Sequence, residues 1–302
     1  MVTMAVAVTG TLFYSAIAYS DNSALSTSNN DFKRLLTFAQ FAHAAYEPDS
    51  AVTQLMENNG YVITTIKTID NSFIRFYVAT NKSSKSQLIA IRGTSNIENA
   101  LVDIDAQLVA HNTLGIKLHR GFTEATLPIS RALDGILHKN HTIQLTGHSL
   151  GGAIAVILAM DLNTRGFQVG EVVTFGQPKI TNMMGAKKFN QLNIRRIVSD
   201  TDVVPLVPPV DFLDLTKIDI YWHLGEETVL FPGKFYSTLE GIKSMMRGLT
   251  FINKRFSEED LYAHQMSTYL KLINDKLNDN SIIPYDERQR YLKNPRPQGG
   301  YF

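Results

Sequence analysis

The sequence predicts an α/β fold, with a central, mostly parallel sheet flanked by helices. Three observations support this prediction. Short apolar strands alternate with helical segments over residues 87–199, which is typical of a sheet covered on both faces. Apolar residues make up 44% of the 302-residue chain and charged residues 19%, as expected for a protein with a large core. Neither an internal repeat nor a linker is visible, so one domain is predicted over residues 21–302.

The predicted elements follow in chain order. An amphipathic helix capped at Asn29–Asp31 comes first. Two β-rich segments separated by Asp70 and Asn71 then predict a hairpin. The remaining predicted elements are strands at 87–92, 142–147, 171–175 and 194–199, an extended segment at 220–231, and helices at 97–108, 121–138, 150–165 and 257–278. Beyond residue 280 the polar, Pro- and Gly-bearing tail predicts a loosely held arm.

Charge and cysteine content exclude several classes of function. The formal net charge is +1, which argues against a nucleic-acid partner. The chain contains no cysteine, so thiol catalysis, disulfides and cysteine-based metal sites are excluded. We expect neither a metal nor another cofactor.

Residues 1–20 are apolar and precede a polar stretch that begins at Asp21. The apolar run is roughly fifteen residues long, too short for a transmembrane span. Ala16-Ile17-Ala18 has the small-residue pattern of a signal-peptidase site, although the segment lacks Lys and Arg. We therefore predict a signal peptide and a secreted protein. The alternative is a buried or disordered start in a cytoplasmic protein.

One short motif carries a chemical prediction. Residues 147–151 read Gly-His-Ser-Leu-Gly, between a predicted strand and a predicted helix. This is the setting of a nucleophile elbow, in which a serine occupies a strained turn. The free N–H groups at the helix start favour a developing oxyanion. Ser149 is therefore the candidate nucleophile.

A serine nucleophile needs a base and an acid that orients the base. In this architecture both follow the serine along the chain, which leaves His223 and His264 as candidate bases. Asp200 and Asp202 both come directly after the 194–199 strand, where an open α/β sheet places functional groups. Spacing along the sequence alone does not choose between His223 and His264 as the base, or between Asp200 and Asp202 as the acid.

Seven landmarks in order resemble the class 3 triacylglycerol lipases first known from filamentous fungi. They are IRGT at 91–94, LHRGF at 118–122, TGHSLGGA at 146–153, TFGQPK at 174–179, DVVPLVPP at 202–209, YWHLGEE at 221–227 and a final histidine at 264. The resemblance runs from about residue 35 to residue 275. It implies an α/β-hydrolase fold with a helical lid.

The resemblance also implies roles for individual residues. Asp202, which precedes the hydrophobic-Val-Pro run, becomes the acid, and His264 the base with Tyr269 behind it. His223 falls in the Tyr-x-His-x-Gly-x-Glu segment and is expected to be structural. The oxyanion donors would be the backbone N–H and hydroxyl of Thr94 and the backbone N–H of Leu150.

The segment after Thr94 corresponds to the lid of the family. Its apolar stripe at helical spacing fits that role, although Ala100 replaces the usual bulky aromatic residue. A fixed surface helix is the alternative. The stripe comprises Ile97, Ala100, Leu101, Ile104 and Leu108.

A second segment, residues 231–256, is apolar and basic. It suggests either contact with an anionic lipid surface or, as the preferred interpretation, a helix packed on the core.

The functional hypothesis is a serine ester hydrolase, a triacylglycerol lipase that acts at a lipid–water interface. A phospholipase or a soluble-ester esterase would use the same triad. A non-catalytic, lipase-like scaffold that binds lipid or a partner protein is the alternative from another class. The sequence does not indicate the oligomeric state.

Overall fold

The computed structural model describes residues 18–69, 74–94, 107–208, 219–249 and 258–293. Within these ranges the strands are β1 Val62–Ile69, β2 Ile74–Asn81, β3 Ser86–Ile91, β4 Leu108–His111, β5 Ile116–His119, β6 Thr142–His148, β7 Gln168–Phe175, β8 Thr181–Asn182, β9 Asn193–Ser199, β10 Tyr221–Trp222, β11 Glu226–Leu230, β12 Phe235–Leu239 and β13 Ser281–Ile282. The helices are α1 Ala18–Ala44, α2 Asp49–Asn58, α3 Arg120–Ala132, α4 Leu150–Thr164, α5 Met183–Lys188, α6 Gly241–Leu249, α7 Glu258–Ala263, α8 Met266–Asn274 and α9 Arg288–Leu292.

The central sheet has nine strands in the order β1-β2-β3-β6-β7-β9-β11-β12-β13. The five strands from β3 to β11 in this order pair parallel to one another. The hairpin β1–β2 and the pairs β2–β3 and β11–β12 are antiparallel. The predicted mostly parallel sheet is confirmed. A second, four-stranded sheet in the order β10-β8-β5-β4 was not predicted.

Helices cover both faces of the central sheet because successive strand residues point to opposite sides. In β3, Ile89 and Ile91 pack into the cluster that contains α3 and α4, whereas Leu88 and Ala90 pack into the cluster that contains α1 and α8. All four side chains are fully buried. The predicted helix–sheet–helix arrangement is therefore confirmed.

Two predicted helices differ from the structure. Helix α1 begins at Ala18 rather than at the expected cap at Asn29–Asp31. The expected helix over 257–278 is two helices, because Gln265 takes extended backbone angles (φ −68°, ψ 143°) between α7 and α8.

The segment that begins after residue 280 is not a loosely held arm over residues 281–292. Strand β13 pairs with β12, and the Ser237 hydroxyl donates to the Ile283 carbonyl.

The predicted lid falls mainly outside the described residues, since these include neither Ile97, Ala100 and Leu101 nor Ile104. Leu108 is described and lies in β4, paired with His119 of β5. A helix that extends to Leu108 is therefore wrong, because the backbone there makes ladder hydrogen bonds with β5.

Candidate active site

Ser149 lies on the sharp turn between β6 and α4. Its backbone angles are φ 58° and ψ −128°, and the residue is 5% exposed. A Cβ atom at position 147 would lie 2.4 Å from the Gly151 carbonyl carbon, and one at 151 would lie 2.2 Å from the Ile91 carbonyl oxygen. Both glycines are therefore required for strand and helix to approach this closely. The strand–turn–helix setting expected for the motif is present.

His264 and Asp202 form a buried pair. His264 Nδ1 lies 2.7 Å from Asp202 Oδ2, and both side chains are fully buried. Asp202 follows the carboxyl end of β9, and His264 sits at the break between α7 and α8. The His264 N–H still donates to the Asp260 carbonyl at 3.1 Å, and the chain leaves the helical conformation at Gln265.

Asp202 is held by three donors. Its Oδ1 accepts from the Val204 N–H at 2.9 Å, and its Oδ2 accepts from His264 and from the Tyr269 hydroxyl. Burial by itself raises the pKa of Asp202, but the His264 imidazole and these hydrogen bonds outweigh it and lower the pKa below its ordinary value. The carboxylate therefore stays charged and fixed toward the imidazole.

The other imidazole nitrogen of His264 is available for proton transfer. His264 Nε2 is buried and makes no hydrogen bond with the described part of the chain. With Nδ1 donating to Asp202, Nε2 carries the lone pair in the neutral ring. This is the protonation pattern that a general base requires.

The last residue of β7 and the residue after it lie between the serine and the histidine. The Ser149 N–H donates to the Phe175 carbonyl at 2.9 Å. At the next residue, a Cβ on Gly176 would lie 2.7 Å from His264 Cε1 and 2.9 Å from Asp202 Oδ2. Residues 175 and 176 therefore contact both the nucleophile turn and the histidine–aspartate pair, which brings these chain-distant groups to one edge of the sheet.

Thr94 and Leu150 lie on the two segments that flank Ser149. Gly93, which precedes Thr94, would place a Cβ 3.1 Å from Ser149 Cβ. Leu150 is the first residue of α4, directly after Ser149. Thr94 and Leu150 are both half-buried. Their oxyanion role remains a prediction, and their positions are compatible with it.

The two alternative candidates lie elsewhere. Asp200 lies 3.6 Å from Arg288 Nε, and His223 Nε2 donates to the Pro205 carbonyl at 2.6 Å. Burial lowers the pKa of His223 well below its ordinary value, so this ring is neutral. His264 and Asp202 are instead hydrogen-bonded to each other, so His264 is the better candidate for the base and Asp202 for the acid.

Sequence reasoning missed several contributors to the site. His148 is buried and hydrogen-bonds Tyr46 and the His264 carbonyl. Tyr46 comes from the turn after α1, and Gly176 from within the TFGQPK landmark. No local pattern marks Tyr46, because its partner His148 is 102 positions away.

The described part of the apolar, basic segment, residues 231–249, packs on the core through one ionic group. Arg247 of α6 is buried and pairs with Glu227 of β11 at 2.9 Å, and Arg196 of β9 lies 3.7 Å from the same carboxylate. Ile242 and Met246 on the opposite side of α6 remain exposed. The preferred interpretation, a helix packed on the core, agrees with these contacts.

The described ranges show neither a metal-binding cluster nor a membrane-crossing helix. There, no group of three or more His, Asp or Glu side chains could hold a metal ion. None of the described helices has the length and apolarity that a bilayer crossing requires.

Known proteins similar to this chain are lipases. The chain is 31% identical over 158 residues to a lipase from Rhizomucor miehei, an alignment that covers 48% of this chain and 44% of the relative. It is also 31% identical over 158 residues to the secreted mono- and diacylglycerol lipase 1 of Fusarium solani, covering 49% and 47%. The chain thus spans less than half the length of either relative.

Solved structures agree on the fold. The lipase from Rhizopus microsporus var. chinensis superposes with a TM-score of 0.57 at 22% identity, covering 66% of this chain and 74% of that one. The sheet, the helices on both faces and this superposition identify the α/β-hydrolase fold.

The family model described as "Lipase (class 3)" matches residues 88–212. This range includes the nucleophile turn and Asp202, and His264 follows it in the expected order. Over this range the chain resembles the class 3 lipases, in line with its similarity to the fungal lipases.

Proposed function

We propose that this protein is a serine hydrolase of carboxylic esters, and that its substrates are esters of glycerol with fatty acids. The observation that carries the proposal is the buried His264–Asp202 pair beside the Ser149 turn. The similarity of the chain to the class 3 lipase model and to proteins named as lipases supports the same conclusion.

The proposed mechanism follows from the positions of the side chains. Ser149 Oγ attacks the acyl carbonyl carbon, and His264 Nε2 takes the hydroxyl proton. Asp202 stabilises the imidazolium that forms and keeps Nδ1 protonated. The N–H of Leu150, together with the N–H and hydroxyl of Thr94, stabilises the oxyanion; losing one such donor typically costs roughly 3–4 kcal/mol of transition-state stabilisation.

Collapse of the tetrahedral intermediate completes acylation. His264 Nε2 returns its proton to the departing alkoxide, so the alcohol leaves and the acyl group remains on Ser149. A water molecule then attacks the acyl-enzyme, giving one proton to His264. The fatty acid leaves as Ser149 Oγ recovers that proton.

Action at a lipid–water interface is the finer part of the proposal. The low exposure of Ser149 (5%) and the burial of His264 support a site that opens when the protein meets a lipid surface. A lipid surface that stabilises the open arrangement would provide the free energy for this step. We also propose that the protein is secreted, as the name of the Fusarium relative states for that protein.

A substrate panel with Ser149→Ala as the control tests the proposal. We expect turnover of a triolein emulsion, with a rate that rises above the solubility limit of a partly soluble ester, and at least a roughly 1,000-fold loss in Ser149→Ala. If Ser149→Ala stays within a few-fold of wild type, the mechanism is wrong. Faster turnover of phosphatidylcholine vesicles or of a soluble short-chain ester would instead indicate a phospholipase or an esterase.

A non-catalytic scaffold is tested separately. An organophosphonate should label the wild-type protein at Ser149 and leave Ser149→Ala unlabelled. A wild-type chain that neither reacts nor turns over any ester would favour the scaffold.

A further inference from the structure

A continuous chain of hydrogen bonds starts at Tyr46 and reaches all three segments of the site. The Gly93 N–H donates to the Tyr46 hydroxyl oxygen at 3.0 Å. The same hydroxyl lies 2.8 Å from His148 Nδ1, and His148 Nε2 lies 2.6 Å from the His264 carbonyl oxygen. Gly93 precedes Thr94, and His148 precedes Ser149. One tyrosine therefore connects the segments that carry the proposed oxyanion donor, nucleophile and base.

The donor and acceptor roles of these groups fix the position of each proton in this series of hydrogen bonds. A carbonyl oxygen only accepts, so His148 Nε2 must carry the proton it donates to His264. In a neutral ring Nδ1 is then the acceptor, and the Tyr46 hydroxyl is its donor. Burial lowers the pKa of His148 to about 3 and raises the pKa of Tyr46 to about 12, so both groups are neutral. The arrangement permits one tautomer of His148.

His148 also packs against the base. The ring centroids of His148 and His264 lie 4.5 Å apart with an interplanar angle of 35°. Asp202 thus holds the His264 ring at Nδ1, while His148 holds its face and its backbone carbonyl. Any rotation of the His148 ring would disturb both contacts with His264.

Tyr46 fixes that rotation from the other side of the ring. The described structure gives His148 Nδ1 the Tyr46 hydroxyl as its hydrogen-bond partner. Tyr46 itself is held in a turn by its N–H, which donates to the His43 carbonyl at 2.9 Å. Position 93 is also close to this hydroxyl, since a Cβ there would lie 2.7 Å from it.

From this geometry we propose that Tyr46 is a positioning residue for ester hydrolysis, which acts through His148 to orient His264 and to hold the segment that carries Thr94. The proposal rests on the proposed function of the triad. The Tyr46 hydroxyl bonds Gly93 and His148 rather than the side chains of the triad, so its removal should slow the chemical step and leave substrate binding intact.

The variant Tyr46→Phe removes the hydroxyl and keeps the ring. We expect kcat on a soluble short-chain ester to fall roughly 10- to 100-fold, as for a misplaced catalytic group, with KM within about two-fold. The rate of phosphonate labelling of Ser149 should fall by a similar factor.

Tyr77→Phe is the matched control. The Tyr77 hydroxyl is also buried and donates to a backbone carbonyl, that of Phe41, at 2.8 Å. Its removal should lower the melting temperature without changing kcat. Equal kcat values for the two variants would overturn the proposal, because a general loss of stability would then explain any effect.

A double-mutant cycle tests whether Tyr46 acts through His148. His148→Phe keeps an aromatic ring but loses both ring nitrogens, so it neither donates to the His264 carbonyl nor accepts the Tyr46 proton. Adding Tyr46→Phe to this variant should change kcat less than about three-fold, since the coupling is already lost. Multiplication of the two single effects would overturn the indirect role.

A measurement on wild type keeps the proposal testable even if a variant fails to fold. Nitrogen-15 NMR of the histidine rings should show His148 as the Nε2–H tautomer, neutral at neutral pH. An Nδ1–H tautomer or a charged ring would overturn the proposal. Failure of the proposed function is distinguishable, because it would appear as activity retained in Ser149→Ala.

Discussion

Gly176→Ala probes how tightly the backbone after β7 encloses the histidine–aspartate pair. A Cβ at this position would lie 2.7 Å from His264 Cε1, 0.7 Å inside the 3.4 Å lower limit of ordinary contact. It would also lie 2.8 Å from His264 Nδ1 and 2.9 Å from Asp202 Oδ2. The pair is fully buried, so it can move away only by disturbing its own hydrogen bonds.

The expected loss of kcat follows from these distances. A misplacement of about 1 Å typically costs about 100-fold in rate, so we expect kcat to fall roughly 10- to 100-fold. Gly176 also has φ +58°, a left-handed conformation that costs an alanine about 1–2 kcal/mol. Overpacking adds about 1–3 kcal/mol to the loss of unfolding free energy.

Gly166→Ala separates backbone strain from steric displacement. Gly166 has φ +76°, but a Cβ at this position would have open space around it, with no neighbouring atom within 4 Å. This control should lose about 1–2 kcal/mol of unfolding free energy in urea titrations and keep wild-type kcat. If both variants keep kcat within about two-fold of wild type, the argument that Gly176 encloses the pair is refuted.

Two further predictions concern buried charge. Glu227→Ala leaves Arg196 and Arg247 buried without their carboxylate, so it should lower the free energy of unfolding in urea by about 3–5 kcal/mol. The control Asp134→Ala breaks an exposed pair with Arg165 and should lower it by about 1 kcal/mol or less. Equal losses in the two variants would contradict the role assigned to Glu227. The pKa of Asp202 is lower in the folded protein than its unfolded value of about 3.9, so the stability it contributes is present above about pH 4 and is lost as the pH falls through the folded value. Unfolding free energies measured from about pH 6 to about pH 3 should therefore fall more steeply for wild type than for Asp202→Asn, and parallel curves would show that this pKa is not lowered.

Local patterns predicted the sheet and the nucleophile turn because their causes are local. A strand covered on both faces needs apolar residues on both, so the short apolar run at 87–92 predicted the strand that the structure has at Ser86–Ile91. The turn at Ser149 needs small residues at 147 and 151, and both are visible as glycines in the motif. The resemblance to lipases then selected Asp202 and His264 from two pairs of candidates.

The errors share a physical cause. The break at Gln265 and the pairing of Leu108 with His119 depend on neighbours that local helical periodicity does not reveal. The same holds for residues 281–292, whose polar composition suggests a loose arm although β13 pairs with β12. At Leu108 and at β13 a strand-pairing contact made by the fold overrides the local preference.

The sequence by itself determined the fold class, the identity of the candidate nucleophile and a short set of partners, because strand periodicity and turn geometry are properties of neighbouring residues. Tertiary structure alone decided how the partners are oriented. Asp202 faces His264 across 62 positions, and Tyr46 reaches His148 across 102. Such contacts exist only after the sheet has brought its strand ends together, and the direction of each hydrogen bond there follows from the packing of the whole chain.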